Sequence, residues 1–66
     1  MTKDEILEKV NQVDGLGGMT VNERLYVTGL MDAFDKALIN DKELARIILE
    51  AIRVDEPSIE IILKNK

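Results

Sequence analysis

The sequence predicts an all-α fold: one small compact domain of three to four helices around a long central helix. Three observations carry that reading. Apolar residues return at spacings of three and four along most of the chain, which places them on one face of a helix. Thr-x-x-Glu and Asn-x-x-Glu signals precede the apolar runs, as helix starts do. Valine and isoleucine are plentiful, but no segment sustains the apolar–polar alternation of a half-buried strand.

The first helix is expected near residues 2–13. Thr2-Lys-Asp-Glu5 reads as a capping box with acids in the first turn, and Ile6, Leu7, Val10 and Val13 form a short apolar stripe. Asp14-Gly-Leu-Gly-Gly18 breaks it, so residues 14–19 are read as a loop. Within it Gly15 is a candidate helix-ending residue, and Leu16 and Met19 tuck back as anchors. This loop leaves the first helix free to swing or to exchange between protomers.

The central helix is expected near residues 20–39. Thr20-Val-Asn-Glu23 is a second capping box, and Val27, Leu30, Met31, Phe34 and Leu38 share one face. Leu25, Tyr26, Ala33 and Ala37 widen that face, while Glu23, Arg24, Asp32, Asp35 and Lys36 fall mostly opposite, where charge stays hydrated. Tyr26 is expected in the core with its hydroxyl at the rim. Gly29 is out of place in a helix interior, where it costs about 1 kcal/mol relative to alanine. With Ala33 and Ala37 it makes a small-residue stripe. Tyr26, Gly29, Ala33 and Ala37 are therefore the candidate seam, for close packing inside the domain or for a partner, with a kink at Gly29 as the third option.

A third helix is expected near residues 41–53, with Asn40 as N-cap, Glu43 at the third position, and Leu44, Ile47, Ile48, Ala51 and Ile52 as its apolar stripe. A fourth is expected near residues 56–65. Asp55 caps it, Pro57 is tolerated only in a first turn, and Ile59, Ile62 and Leu63 face inward. Ile61 is left outside, and Lys64, Asn65 and Lys66 suit a helix C-terminus. The core list is Leu7, Val10, Leu25, Val27, Leu30, Phe34, Leu38, Leu44, Ile47, Ile48, Ile52, Ile59 and Ile62.

Composition removes most chemistries. The 66 residues include no cysteine, histidine or tryptophan, so nucleophilic triads and ordinary zinc sites lack their parts. Asp32 with Asp35, and Asp4 with Glu5 and Glu8, are read as solvated faces rather than acid/base pairs. The glycine loop lacks the lysine and hydroxyl residue of a phosphate loop and the alternating oxygen ligands of an EF-hand. No catalytic residue, metal or cofactor is expected, nor a small-molecule substrate. The net charge is −4, and residues 1–35 carry all of it, with seven acids against three bases. Such a chain lacks the basic field that nucleic acids and anionic membranes select. The apolar runs are too short to span a bilayer, and the acid-bearing first residues do not read as a signal peptide. A cytoplasmic setting is the expectation.

The segment Asn22-Glu-Arg-Leu-Tyr-Val-Thr-Gly-Leu-Met-Asp-Ala-Phe-Asp-Lys-Ala37 resembles a group of short bacterial helical proteins that share an NERL-aromatic-x-x-GL-x-D-x-FD-x-A pattern. Asn22, Glu23, Arg24, Leu25, Tyr26, Gly29, Leu30, Asp32, Phe34, Asp35 and Ala37 fit it, over about half the chain. The resemblance implies a bacterial, cytosolic setting and no catalytic role. A fainter similarity links Thr28-Gly-Leu-Met-Asp32 and Lys36-Ala-Leu38 to the ubiquitin-associated-like module of translation elongation factor Ts, whose glycine–methionine loop is incomplete here. The functional expectation is a non-enzymatic interaction or self-association module, with a protein partner or a homo-oligomer as its occupant. The alternative is an acidic inhibitor or antitoxin-like regulator that masks a basic protein. A small enzyme or metal protein is disfavoured.

Overall fold

The computed structural model describes residues 1–64. It is all-α: five α-helices and one 3-10 turn, with no strand among the described residues. The helices are α1 (Lys3–Asn11), α2 (Val21–Thr28), α3 (Met31–Asn40), α4 (Lys42–Ala51) and α5 (Glu56–Lys64), and the 3-10 turn is Leu16–Gly18. Position 65 of the expected fourth helix, with Asn65 and Lys66, lies outside the described residues.

The long central helix is not there. The segment 20–39 is two helices, α2 and α3, separated at Gly29 and Leu30. The reason is in the faces they bury. At about 100° per residue, Val21, Arg24, Leu25 and Thr28 would lie on one side of a continuous helix. Leu30, Phe34 and Ala37 would lie about half a turn away. Leu25, Thr28, Leu30, Phe34 and Ala37 are all buried, and a straight helix cannot turn opposite sides to one core.

Gly29 makes the break. Its φ of 73° lies in the left-handed region, where glycine bears no Cβ penalty. Leu30 N–H donates to the Leu25 carbonyl at 3.0 Å and Gly29 N–H donates to the Tyr26 carbonyl at 3.1 Å. That pair of bonds is a Schellman stop, and its usual apolar contact is supplied by Leu25 and Leu30, both buried.

The organising element is instead α4, which packs against α1, α3 and α5. Ala45, Ile48 and Leu49 on it, and Ile52 at its C-cap, are fully buried. Leu44, Ile47 and Ala51, expected in its stripe with Ile48 and Ile52, are only partly buried. Its apolar surface is wide because neighbours cover several sides. At about 1.5–3 kcal/mol per buried aliphatic side chain, α4 and its neighbours hold most of the stabilising burial.

Both threonine capping boxes form: Thr2 with Glu5 and Thr20 with Glu23 each exchange the two expected bonds. Asp55 caps α5 by accepting from Ser58 N–H and Oγ. The cap of α4 is displaced by one residue. Asn40 is the last residue of α3, and Asp41 accepts from Leu44 N–H at 3.1 Å while its own N–H donates to the Ala37 carbonyl at 2.8 Å. One residue thus ends α3 and starts α4, and Glu43 falls out of capping register.

The loop after α1 begins two residues earlier than expected and differs in detail. Helix α1 ends at Asn11, and Gly15 (φ 80°) precedes the 3-10 turn rather than closing α1. Leu16 is buried and Met19 partly so, both packed on the core. On α1, Ile6 and Val10 are buried, whereas Leu7 is exposed.

Arg24, read as a hydrated charge, is half-buried and holds the chain together. Its Nε donates to the Met19 carbonyl at 3.0 Å, and its Nη1 donates to the Ile52 and Arg53 carbonyls at 3.2 and 3.1 Å. One guanidinium therefore ties the glycine loop and α2 to the C-terminus of α4. From within α4, Arg46 bridges Glu56 and Glu60 of α5 at 3.1 and 2.8 Å.

Candidate functional site

The expected seam of Tyr26, Gly29, Ala33 and Ala37 is not a stripe on one helix. Tyr26 stands on the outer side of α2 and is 78% exposed, so its assignment to the core is corrected. Ala33 is partly buried and Ala37 buried on α3. Gly29 lies between the helices on the surface, and a Cβ built there would meet only Lys9 Nζ, at 4.0 Å. No backbone or bulky side chain presses on it. Its missing side chain serves the left-handed turn, not a close helix crossing.

The structure divides these residues between two surface hollows. Tyr26 lines an open depression of about 420 Å³ with Met19, Asn22, Glu23, Val27 and Met31. Ala33 and Ala37 line a smaller one of about 230 Å³ with Met1, Lys36, Asn40, Asp41 and Leu44. Gly29 belongs to neither.

The first depression has a local cause. Helix α2 turns Leu25 and Thr28 inward, so the two side chains between them, Tyr26 and Val27, point outward. Val27, expected in the core, is 43% exposed for this reason. Met19 enters from the loop and Met31 from the start of α3, both partly buried. Two flexible thioethers, one aliphatic and one phenol ring make an apolar floor that adapts to a ligand's shape. Tyr26 and Phe34 are the only aromatics in the chain, and Phe34 is buried.

The charge beside this floor is acidic. Glu23 lines it, and Asp32 and Asp35, both exposed, follow Met31 on α3. The other expected acidic cluster is elsewhere, on α1. There Glu5 accepts from Thr2 N–H, and this bond holds its carboxyl below the usual carboxylate range. Asp55 is lowered likewise, first by the Ser58 hydroxyl and then by its N–H. Among the described residues no three acidic side chains converge as metal ligands would. Among the described residues the one buried polar side chain, Thr28, donates from its hydroxyl to the Arg24 carbonyl at 2.7 Å. Neither feature gathers a reacting pair.

The glycine loop borders a polar hollow of about 160 Å³ with Val10, Asn11, Val13, Asp14 and Arg53. Leu16, buried inside the 3-10 turn, anchors the loop to the core, so its glycines serve chain reversal. No helix of the described residues is long and apolar enough to cross a membrane.

Sequence reasoning missed Val27, Met19 and Met31 as members of the exposed face. The signal was present: Leu25 and Leu30, five residues apart, cannot share a face of one straight helix. Searches of protein-family models, curated proteins and solved structures find no match to this chain.

Proposed function

We propose that this chain is a non-enzymatic protein-interaction module that docks a cationic, apolar-faced segment of another protein onto the α2–α3 face. The observation that carries this reading is Tyr26, 78% exposed above an apolar floor of Met19, Val27 and Met31. Tyrosine is among the residues that most often dominate binding energy, because it buries a large rigid ring and keeps a polar tip. Charge selects the occupant. Glu23 lines the floor, Asp32 and Asp35 are exposed on α3 after Met31, and residues 1–35 carry the whole net charge of −4. A second copy would bring the same acids face to face, whereas a lysine- or arginine-bearing segment complements them.

The reading joins docking through apolar surface with the masking of a basic partner. An inhibitor or antitoxin-like regulator is one form such a module takes. It takes the chain as cytoplasmic and bacterial, and it assigns no nucleic acid, membrane, cofactor or small molecule as ligand.

The experiment is an NMR titration with two designed amphipathic helical peptides of the same leucine pattern, one lysine-rich and one glutamate-rich. Shifts caused by the lysine peptide are expected to centre on Met19, Tyr26, Val27 and Met31, with Tyr26→Ala weakening binding at least tenfold. Absence of binding overturns the reading. So do shifts spread over every acidic surface and unchanged by Tyr26→Ala, because they report charge attraction alone.

A further inference from the structure

We infer that Gly29 is a hinge through which two copies of this chain exchange their N-terminal halves, residues 1–28. The inference stands on the α2–α3 junction and does not depend on the docking reading. The residues of 20–40 have the pattern of a single helix with two apolar sides. On a continuous helix, Tyr26, Val27, Leu30, Phe34 and Ala37 gather within about a third of a turn. Leu25 and Thr28 lie opposite, with Val21 and Arg24 beside them.

In the closed monomer only part of this surface is used. The turn at Gly29 brings both buried faces to one core, and it leaves Tyr26 and Val27 exposed. If the turn straightens, Tyr26 and Val27 rejoin the side of Leu30 and Phe34. The opposite side, with Leu25 and Thr28, then faces away from the chain's own α3–α5. A core supplied by another copy covers it.

The packing of α1 on α4 and the bonds of Arg24 to the Ile52 and Arg53 carbonyls are remade between copies. The connection is suited to this change. Nothing packs on Gly29, its φ of 73° sets the left-handed turn on which the stop is built, and the residues on both sides already carry helical spacing. The open form removes the Tyr26 depression as a separate hollow, so exchange and docking exclude one another.

The test uses the chirality of position 29 in the full chain. Gly29→Ala disfavours the left-handed turn and favours helix, and each of these shifts the balance toward the open form by several-fold. The expected result is a dimer at concentrations where the wild type sediments as a monomer, with dimer affinity raised by roughly a thousandfold because two hinges contribute. Gly29→D-Ala, made by chemical synthesis, has the same volume but prefers positive φ, and it is expected to remain monomeric.

The chain has no cysteine, so spin labels at Asn22→Cys and Asn40→Cys, both exposed positions, report the geometry. A continuous helix holds them about 27 Å apart, and the turn at Gly29 brings them closer. A Gly29→Ala chain that is monomeric at millimolar concentration, or dimeric with the short distance alone, overturns the inference. Should Gly29→Ala fail to fold, wild type refolded from urea at millimolar concentration is measured. A dimer fraction with the ~27 Å distance is expected, and its absence overturns the inference equally.

Discussion

Helices α2 and α4 end in the same way with different residues. At the end of α2, Leu30 and Gly29 donate to the Leu25 and Tyr26 carbonyls; at the end of α4, Val54 and Arg53 donate to the Leu49 and Glu50 carbonyls. In both stops the two apolar partners are buried, Leu25 with Leu30 and Leu49 with Val54. The left-handed residue is Gly29 at φ 73° in one and Arg53 at φ 68° in the other. Glycine takes that conformation without penalty, whereas an arginine there costs roughly 1 kcal/mol. The α2 stop is therefore a property of its own residue. The α4 stop is held from outside, by Arg24 on the Ile52 and Arg53 carbonyls and by Val54 against the core.

The comparison is most severely broken at Arg24. Arg24→Met removes the charged donor from the Met19, Ile52 and Arg53 carbonyls and should lower stability in urea melts by about 2 kcal/mol. Arg24→Lys should recover less than half of this, because an ammonium cannot reproduce the guanidinium fork. Equal stability of wild type and Arg24→Met would mean that the α4 stop stands by itself.

The two left-handed positions should next respond with opposite signs. Gly29→Ala should cost the monomer about 1 kcal/mol at micromolar concentration, through backbone strain and not overpacking, since the space around Gly29 is open. Arg53→Gly should raise stability by about 0.5–1 kcal/mol, the strain relieved less the entropy glycine adds to the unfolded chain. Matching signs would show that the two stops are not equivalent in geometry.

The junction also shows how far the sequence was legible. The all-α class, both threonine capping boxes, the Asp55 cap and the burial of Leu16, Phe34, Ile48 and Ile59 follow from spacing and side-chain chemistry within a few residues. The division of 20–39 does not, because helical spacing on α3 continues into Val27 and Tyr26 and conceals the opposite face around Leu25. Which helix sits at the centre is likewise set by packing among elements. Leu49 and Ala45 are buried because α1, α3 and α5 surround α4, a fact beyond any local window. The exposed Tyr26 face is hidden for the same reason, since one continuous helix carries the ring into the core.

The smallest effect concerns the cap of the following helix. Asp55 is lowered by its bonds to Ser58, and Glu5 by its bonds to Thr2. A lowered carboxyl contributes stability above its unfolded value, near pH 4, and loses it as pH falls through the folded value. Thermal melts should therefore vary little between pH 7 and 5 and decline below about pH 4. Asp55→Asn, which keeps an acceptor but no charge, should make that decline shallower. An unchanged decline would remove Asp55 from the acid response.

Tyr26 itself offers the most direct measurement. The chain has one tyrosine and no tryptophan, so its fluorescence reports this ring alone. Acrylamide quenching of the dilute native protein should come close to that of the urea-unfolded chain, as befits a ring 78% exposed on a broken helix. A native tyrosine strongly protected from quenching would place the ring in the core, restore the continuous helix, and contradict the account.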